Sequence, residues 1–130
     1  MSLLHLTPGE VMTVTEYACD DMRVAVRDIG LLESAVHRPS AAMFGTEAYP
    51  DLFDKAAALL QSLAVNHPLV DGNKRTAWLS CVTFLSLNGE RLRPDIDAAE
   101  ELVVAVATGE LEDVKLIGER LRLLRETPGM

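Results

Sequence analysis

The chain has 130 residues, of which 48% are apolar and 25% charged, values near globular averages that exclude a wholly disordered chain. That length predicts a single domain over residues 1–130, burying roughly two-thirds of its unfolded surface. Twelve Lys and Arg against twenty Asp and Glu leave a formal charge of −8, a balance that argues against duplex nucleic acid and against an anionic membrane surface as direct partners.

In chain order the pattern reads as helix after helix with short connections. Thr7-Pro8-Gly9-Glu10 is a helix start, with Thr7 as cap, Pro8 in the first turn and Glu10 where a capping box places a carboxylate. Residues 8 to about 21 then carry Val11, Val14, Ala18 and Met22 at helical spacing. A second helix begins near Asp28, runs through Leu31, Leu32, Ala35 and Val36, and stops before Pro39. Residues 40–50, with Gly45, Tyr49 and Pro50, lack a helical period and read as a loop or a short extended flap. From Asp51 the residues Leu52, Ala56, Leu59, Leu60 and Leu63 form one stripe, and Pro68 ends that helix.

After the turn Leu69-Val70-Asp71-Gly72-Asn73, residues 74–87 are apolar on nearly every face, which predicts a helix in the middle of a bundle. Asn88-Gly89 stops it. Asp95 or Asp97 caps a helix that ends at Thr108-Gly109, and a last helix over about 113–126 places Val114, Ile117, Leu121 and Leu124 on one face. Its Arg120, Arg122 and Arg125 suit the negative end of a helix dipole. The expected class is all-α, about six helices around a central buried one.

Cys19 and Cys81 lie far apart in apolar stretches and match no metal spacing, the pattern of reduced core thiols. The opening residues lack a basic segment followed by a long apolar one, and the longest apolar stretch, 77–87, is interrupted by Ser80, Thr83 and Ser86. A soluble cytoplasmic protein with no membrane association is expected.

The chemistry is concentrated between the two middle helices, in Asn66-His67-Pro68-Leu69-Val70-Asp71-Gly72-Asn73-Lys74-Arg75-Thr76. Gly72, Asn73, Lys74 and Arg75 fall at the first turn of a helix, whose free N–H groups and dipole attract an anion. The cations add point-charge and forked contacts to phosphate. Asp71 is a hard oxygen ligand suited to a magnesium ion on those phosphates. His67 supplies a base. Each residue alone has an ordinary structural role as turn, cap or solvated surface. Two cations in a first turn, however, are unfavourable by roughly 0.3–1 kcal/mol each without an anion. The stretch is not a P-loop, because no strand precedes it and no glycine stands directly before Lys74.

The ten residues 67–76 resemble the signature of the Fic/Doc superfamily, and Lys74, in place of the usual second glycine, resembles the Doc (death-on-curing) branch. The likeness extends through Asp28-Ile29-Gly30-Leu31-Leu32-Glu33-Ser34-Ala35, the flap to Tyr49-Pro50, and Ala107-Thr108-Gly109-Glu110, nearly the whole chain. The resemblance implies a six-helix Fic/Doc-type bundle and an ATP- and magnesium-dependent transferase acting on a protein hydroxyl. It implies that His67 deprotonates the target serine or threonine. Asp71 would hold the magnesium ion and help orient the histidine, and Gly72 and Asn73 would line the anion hole. Lys74 and Arg75 would bind the nucleotide phosphates. For the Doc branch it implies transfer of the γ-phosphate to elongation factor Tu, which halts translation. The flap, Met43-Phe44-Gly45-Thr46-Glu47-Ala48-Tyr49, is either a docking edge that adds a target segment as a strand or an ordinary surface loop.

Leu69 stands where the family usually has phenylalanine. Gly72 matches the AMP-transferring members, where the founding member of the branch has alanine. Val65 replaces that member's arginine. Transfer of AMP is therefore kept as an alternative, and a catalytically silent helical partner-binding module as another. Self-restraining Fic proteins carry Glu followed by Gly or Asn in a short inhibitory motif, and no Glu of this sequence is so followed. For a toxin of this kind restraint then comes from a separate chain, and the resemblance implies a Phd-like antitoxin whose C-terminal segment docks as a helix in an apolar groove. His5 and His37 read as surface or capping residues, Trp78 as core packing.

Overall fold

Short polar side chains decide where most of the helices begin. The computed structural model describes residues 3–19 and 25–126. It contains α1 (Pro8–Ala18), α2 (Ile29–His37), α3 (Leu52–Asn66), α4 (Asn73–Leu87), α5 (Ile96–Ala107) and α6 (Val114–Leu123). Thr7, Asp28, Asp51, Asp95 and Asp113 each accept a first-turn N–H of the helix that follows, a contribution of about 1 kcal/mol apiece. Thr7 and Glu10 close the expected capping box. The all-α class is what the periodicity indicates, and among the described residues the one sheet is a small hairpin of β1 (Ala42–Met43) and β2 (Thr46–Glu47).

The helix at the centre is α3, not α4. Phe53, Lys55, Leu59, Leu60, Ser62, Leu63 and four alanines (Ala56, Ala57, Ala58 and Ala64) are buried along it. It packs against α2, α4, α5, α6 and a 3₁₀ turn at Arg38–Ser40. The physical reason is side-chain size: alanines present little bulk, so neighbours approach α3 from several sides. Gly118 of α6 extends this logic, since a Cβ there would lie 3.3 Å from the Phe53 carbonyl group. In α4 the buried face is Asn73, Thr76, Ala77, Ser80, Cys81, Phe84 and Leu85, while Trp78, Leu79 and Val82 remain half-buried on the other side. Trp78 is thus half-buried and packs against the edge of the core.

Two helix ends differ from the periodicity. α1 closes at Ala18, with the Cys19 N–H donating to the Thr15 carbonyl and the Cys19 side chain buried. Asp20-Asp21 would meet the negative end of the dipole if the helix continued, and the expected positions 21 and 22 lie outside the described residues. α6 closes at Leu123 rather than near 126, because Arg125 leaves the helix to pair with Leu92 in an antiparallel bridge. The basic end is used in specific contacts: Arg122 donates to Asp51 Oδ2 at 2.6 Å and stacks over Phe53. Among the described residues no helix is long and apolar enough to cross a membrane.

Candidate active site

The connection from α3 to α4 is built as a rigid bend. His67 ends α3 in the left-handed conformation (φ 51, ψ 59) and is exposed, a backbone state that costs a residue with a Cβ about 1–2 kcal/mol. Pro68 then prevents the helix from resuming. Leu69 is 1% exposed and plugs the core, so the smaller side chain still anchors the bend where the family usually places phenylalanine. Val70 and Asp71 return to solvent.

Asn73 fastens this bend from the α4 side. Its Oδ1 accepts the Leu69 N–H and its Nδ2 donates to the Leu69 carbonyl, both at 3.0 Å. The carboxamide is buried and held by Leu69 through both its oxygen and its nitrogen, so the group Asn73 most readily offers an anion is its backbone N–H. From the other side residues 25–28 form a strap. Val26 bridges Leu69, the Val70 N–H donates to the Ala25 carbonyl at 2.9 Å, and the N–H groups of Arg27 and Asp28 both donate to the Pro68 carbonyl.

α4 is the one α-helix among the described residues without a side-chain cap. Its N-cap is Gly72, at φ 77, a backbone angle that glycine adopts without strain. The Gly72 N–H is taken by Asp71 Oδ1 at 2.8 Å. Lys74 and Arg75 sit exposed in the first turn, with no acidic residue there and no salt bridge to either among the described residues. The uncapped amides, the helix dipole and two unpaired cations therefore add in the same direction, toward a polyanion. Asp71 keeps its second oxygen, Oδ2, without a protein partner among the described residues. No group of three or more His, Cys, Asp or Glu is gathered there among the described residues. Asp71 is the carboxylate at the bend that could hold a divalent ion such as magnesium.

The flap is a tight hairpin with Ala42 opposite Glu47 and Met43 opposite Thr46. Phe44 and Gly45 both take positive φ, as a two-residue primed turn requires. Two-residue strands are weak on their own; one cation ties this pair to α3 and a second anchors Tyr49, just beyond it. Lys55, buried on α3, donates to Glu47 Oε1 at 2.8 Å and to the Pro39 carbonyl at 3.2 Å. Arg38 donates to the Tyr49 hydroxyl, to the Ala58 carbonyl and to Ser62 Oγ. The tip projects outward, with Met43 71% and Phe44 99% exposed. The roles of Lys55, Arg38 and the strap residue Arg27 are not evident from the sequence. A lysine at a helical core position and an arginine beside Asp28 were visible signals, but their partners are distant in sequence.

An open groove of about 530 Å³ runs between α4 and α5. Trp78, Leu79, Ile96, Ala99, Val103 and Val104 line it, and Lys74, Arg75 and Glu100 add charge. The cations of the α4 first turn are thus shared between the bend and this groove. His5 is exposed and lies tilted on Phe84, and His37 ends α2.

A left-handed histidine, a carboxylate and a cationic uncapped helix start are arranged here in the order of the Fic signature, and the Fic/DOC family model matches residues 5–85. The chain belongs to the Fic/Doc family. It is similar to a protein named Toxin Doc from Mycolicibacterium smegmatis, at 60% identity over 110 residues that cover 83% of this chain and 84% of that one. It is also similar to the protein kinase Doc of Escherichia phage P1, at 36% identity over 127 residues, 92% of this chain and 94% of the relative.

Proposed function

We propose that this protein is the toxin of a type II toxin–antitoxin pair, a single-domain cytoplasmic enzyme that uses ATP and magnesium to phosphorylate a serine or threonine of elongation factor Tu. The observation that carries this reading is the pairing, across one rigid bend, of an exposed imidazole with an uncapped helix start bearing Lys74 and Arg75. Both named relatives, a toxin and a protein kinase, support it.

In this reading His67 takes the proton of the attacking hydroxyl. The hydroxyl oxygen bonds to the γ-phosphorus while the bond from that phosphorus to the β,γ-bridging oxygen breaks, and ADP leaves. The N–H groups at the start of α4, with Lys74 and Arg75, hold the phosphate oxygens against the charge that spreads over them in a loose transition state. Magnesium, when bound, would neutralise phosphate charge, and Asp71 would hold it. The flap presents an exposed strand edge and an apolar tip to the target segment.

A Phd-like antitoxin helix fits the groove between α4 and α5. Its apolar face would cover Trp78, Leu79 and Val103, and an acidic side chain on it would reach Lys74 or Arg75. Such a helix would lock the phosphate-binding cations from the side.

Transfer of AMP is the second reading, favoured by Gly72, which matches the residue of the AMP-transferring members at this position. There the hydroxyl attacks the α-phosphorus and pyrophosphate leaves. Intact-mass analysis of elongation factor Tu after incubation with ATP and magnesium separates the two, because one adds a phosphate and the other a nucleotide. No gain of mass, together with full antitoxin binding, would favour a silent binding module.

A further inference from the structure

The strained point of the bend is the left-handed backbone of His67, and such a conformation persists only where its surroundings over-determine it. α3 carries no basic residue in its last turn, so the carbonyl groups at the negative end of its dipole are not served from within the helix. Arg27 serves them from outside. Its Nε donates to the His67 carbonyl at 2.7 Å and its Nη2 to the Asn66 carbonyl at 2.9 Å. The backbone of Arg27 is itself rooted, its N–H donating to the Pro68 carbonyl at 2.8 Å. The next residue, Asp28, also donates to Pro68 while its side chain caps α2. One planar fork therefore ties the helix end and the histidine to the start of another helix. A lysine cannot reproduce that two-pronged geometry.

We propose that Arg27 is the positioning residue for His67: by holding the carbonyl groups of Asn66 and His67, it fixes the direction in which the imidazole leaves the end of α3. It acts through the backbone. The proposal rests on the reading of His67 as the base of a transferase.

The test compares wild type with Arg27→Ala and Arg27→Lys in three measurements: hydrogen exchange over residues 66–70, steady-state group transfer with ATP, and thermal melting. In Arg27→Ala, exchange over 66–70 accelerates while α6 keeps its protection. The kcat falls roughly tenfold to a hundredfold, as expected for a misplaced base, with KM for ATP changed by less than about twofold. Arg27→Lys, with one prong, recovers part of the kcat. An unchanged kcat overturns the proposal. So does a raised KM for ATP at constant kcat, which would make Arg27 a nucleotide contact, and so does a loss of rate that merely follows the unfolded fraction. Unchanged exchange over 66–70 in an active enzyme defeats the proposal alone. A wild type that transfers no group defeats the transferase reading as well and leaves Arg27 a helix clamp.

Discussion

Asn73 grips the backbone of Leu69 at both ends, accepting its N–H and donating to its carbonyl, each at 3.0 Å, in a buried setting. The two residues stand on opposite sides of Asp71, so this pair of hydrogen bonds sets the arc on which Asp71 and Gly72 are displayed. Replacing Asn73 by alanine leaves both Leu69 groups buried without partners, at a cost of about 1–3 kcal/mol. Asn73→Asp turns the donor facing the Leu69 carbonyl into an acceptor and is expected to cost at least as much. Urea unfolding gives the stability loss, and transfer activity is expected to fall further than the folded fraction does.

The Lys55–Glu47 pair predicts an asymmetry. The lysine is 1% exposed and the glutamate 54%. Glu47→Ala strands a buried ammonium on the Pro39 carbonyl alone, a loss of about 2–3 kcal/mol. Lys55→Met fills the same space without a charge and leaves the glutamate free to hydrate, so its cost is confined to the Pro39 carbonyl it unpairs, about 1–2 kcal/mol. Thermal melts of the two variants are expected in that order. Limited proteolysis is expected to show faster cutting near residues 42–47 in both.

Phe44 is 99% exposed at the tip of the hairpin, so it contributes almost nothing to the fold. Phe44→Ser is expected to leave the melting temperature unchanged within about 0.5 kcal/mol of stability. If the flap docks the target, the same change raises KM for the protein substrate and leaves KM for ATP unaltered. Kinetics with both substrates varied read the split directly.

Cys81 is fully buried, and burial pushes its thiol from an ordinary 9.0 up to about 12. The folded state holds that proton more tightly than the unfolded chain does. The associated stability is complete below pH 9.0 and is lost as pH rises from there toward about 12. Cys81→Ala is expected to flatten this alkaline decline in denaturation curves. In a Cys19→Ser background, a thiol reagent is expected to label Cys81 only after denaturant is added.

What the sequence makes legible here is local chemistry. Thr7, Asp28, Asp51, Asp95 and Asp113 announce their helices, because capping needs only the next three residues. Residues 67–76 announce the bend, because proline, glycine and two first-turn cations break local rules together. Which helix occupies the centre was not legible: hydropathy favours 74–87, whereas the alanines of α3 decide the packing by size. The grip of Asn73 on Leu69, four residues apart, hid behind the reading of Asn73 as an anion ligand. The reach of Arg27 to His67 spans forty positions, and no periodicity reports a contact of that kind.

The most direct measurement is the intact mass of elongation factor Tu after incubation with ATP and magnesium, using wild type and His67→Ala in parallel. A gain of one phosphate with wild type, absent with His67→Ala of equal thermal stability, is the predicted result. A gain of one nucleotide, or the same phosphate gain with His67→Ala, would contradict it.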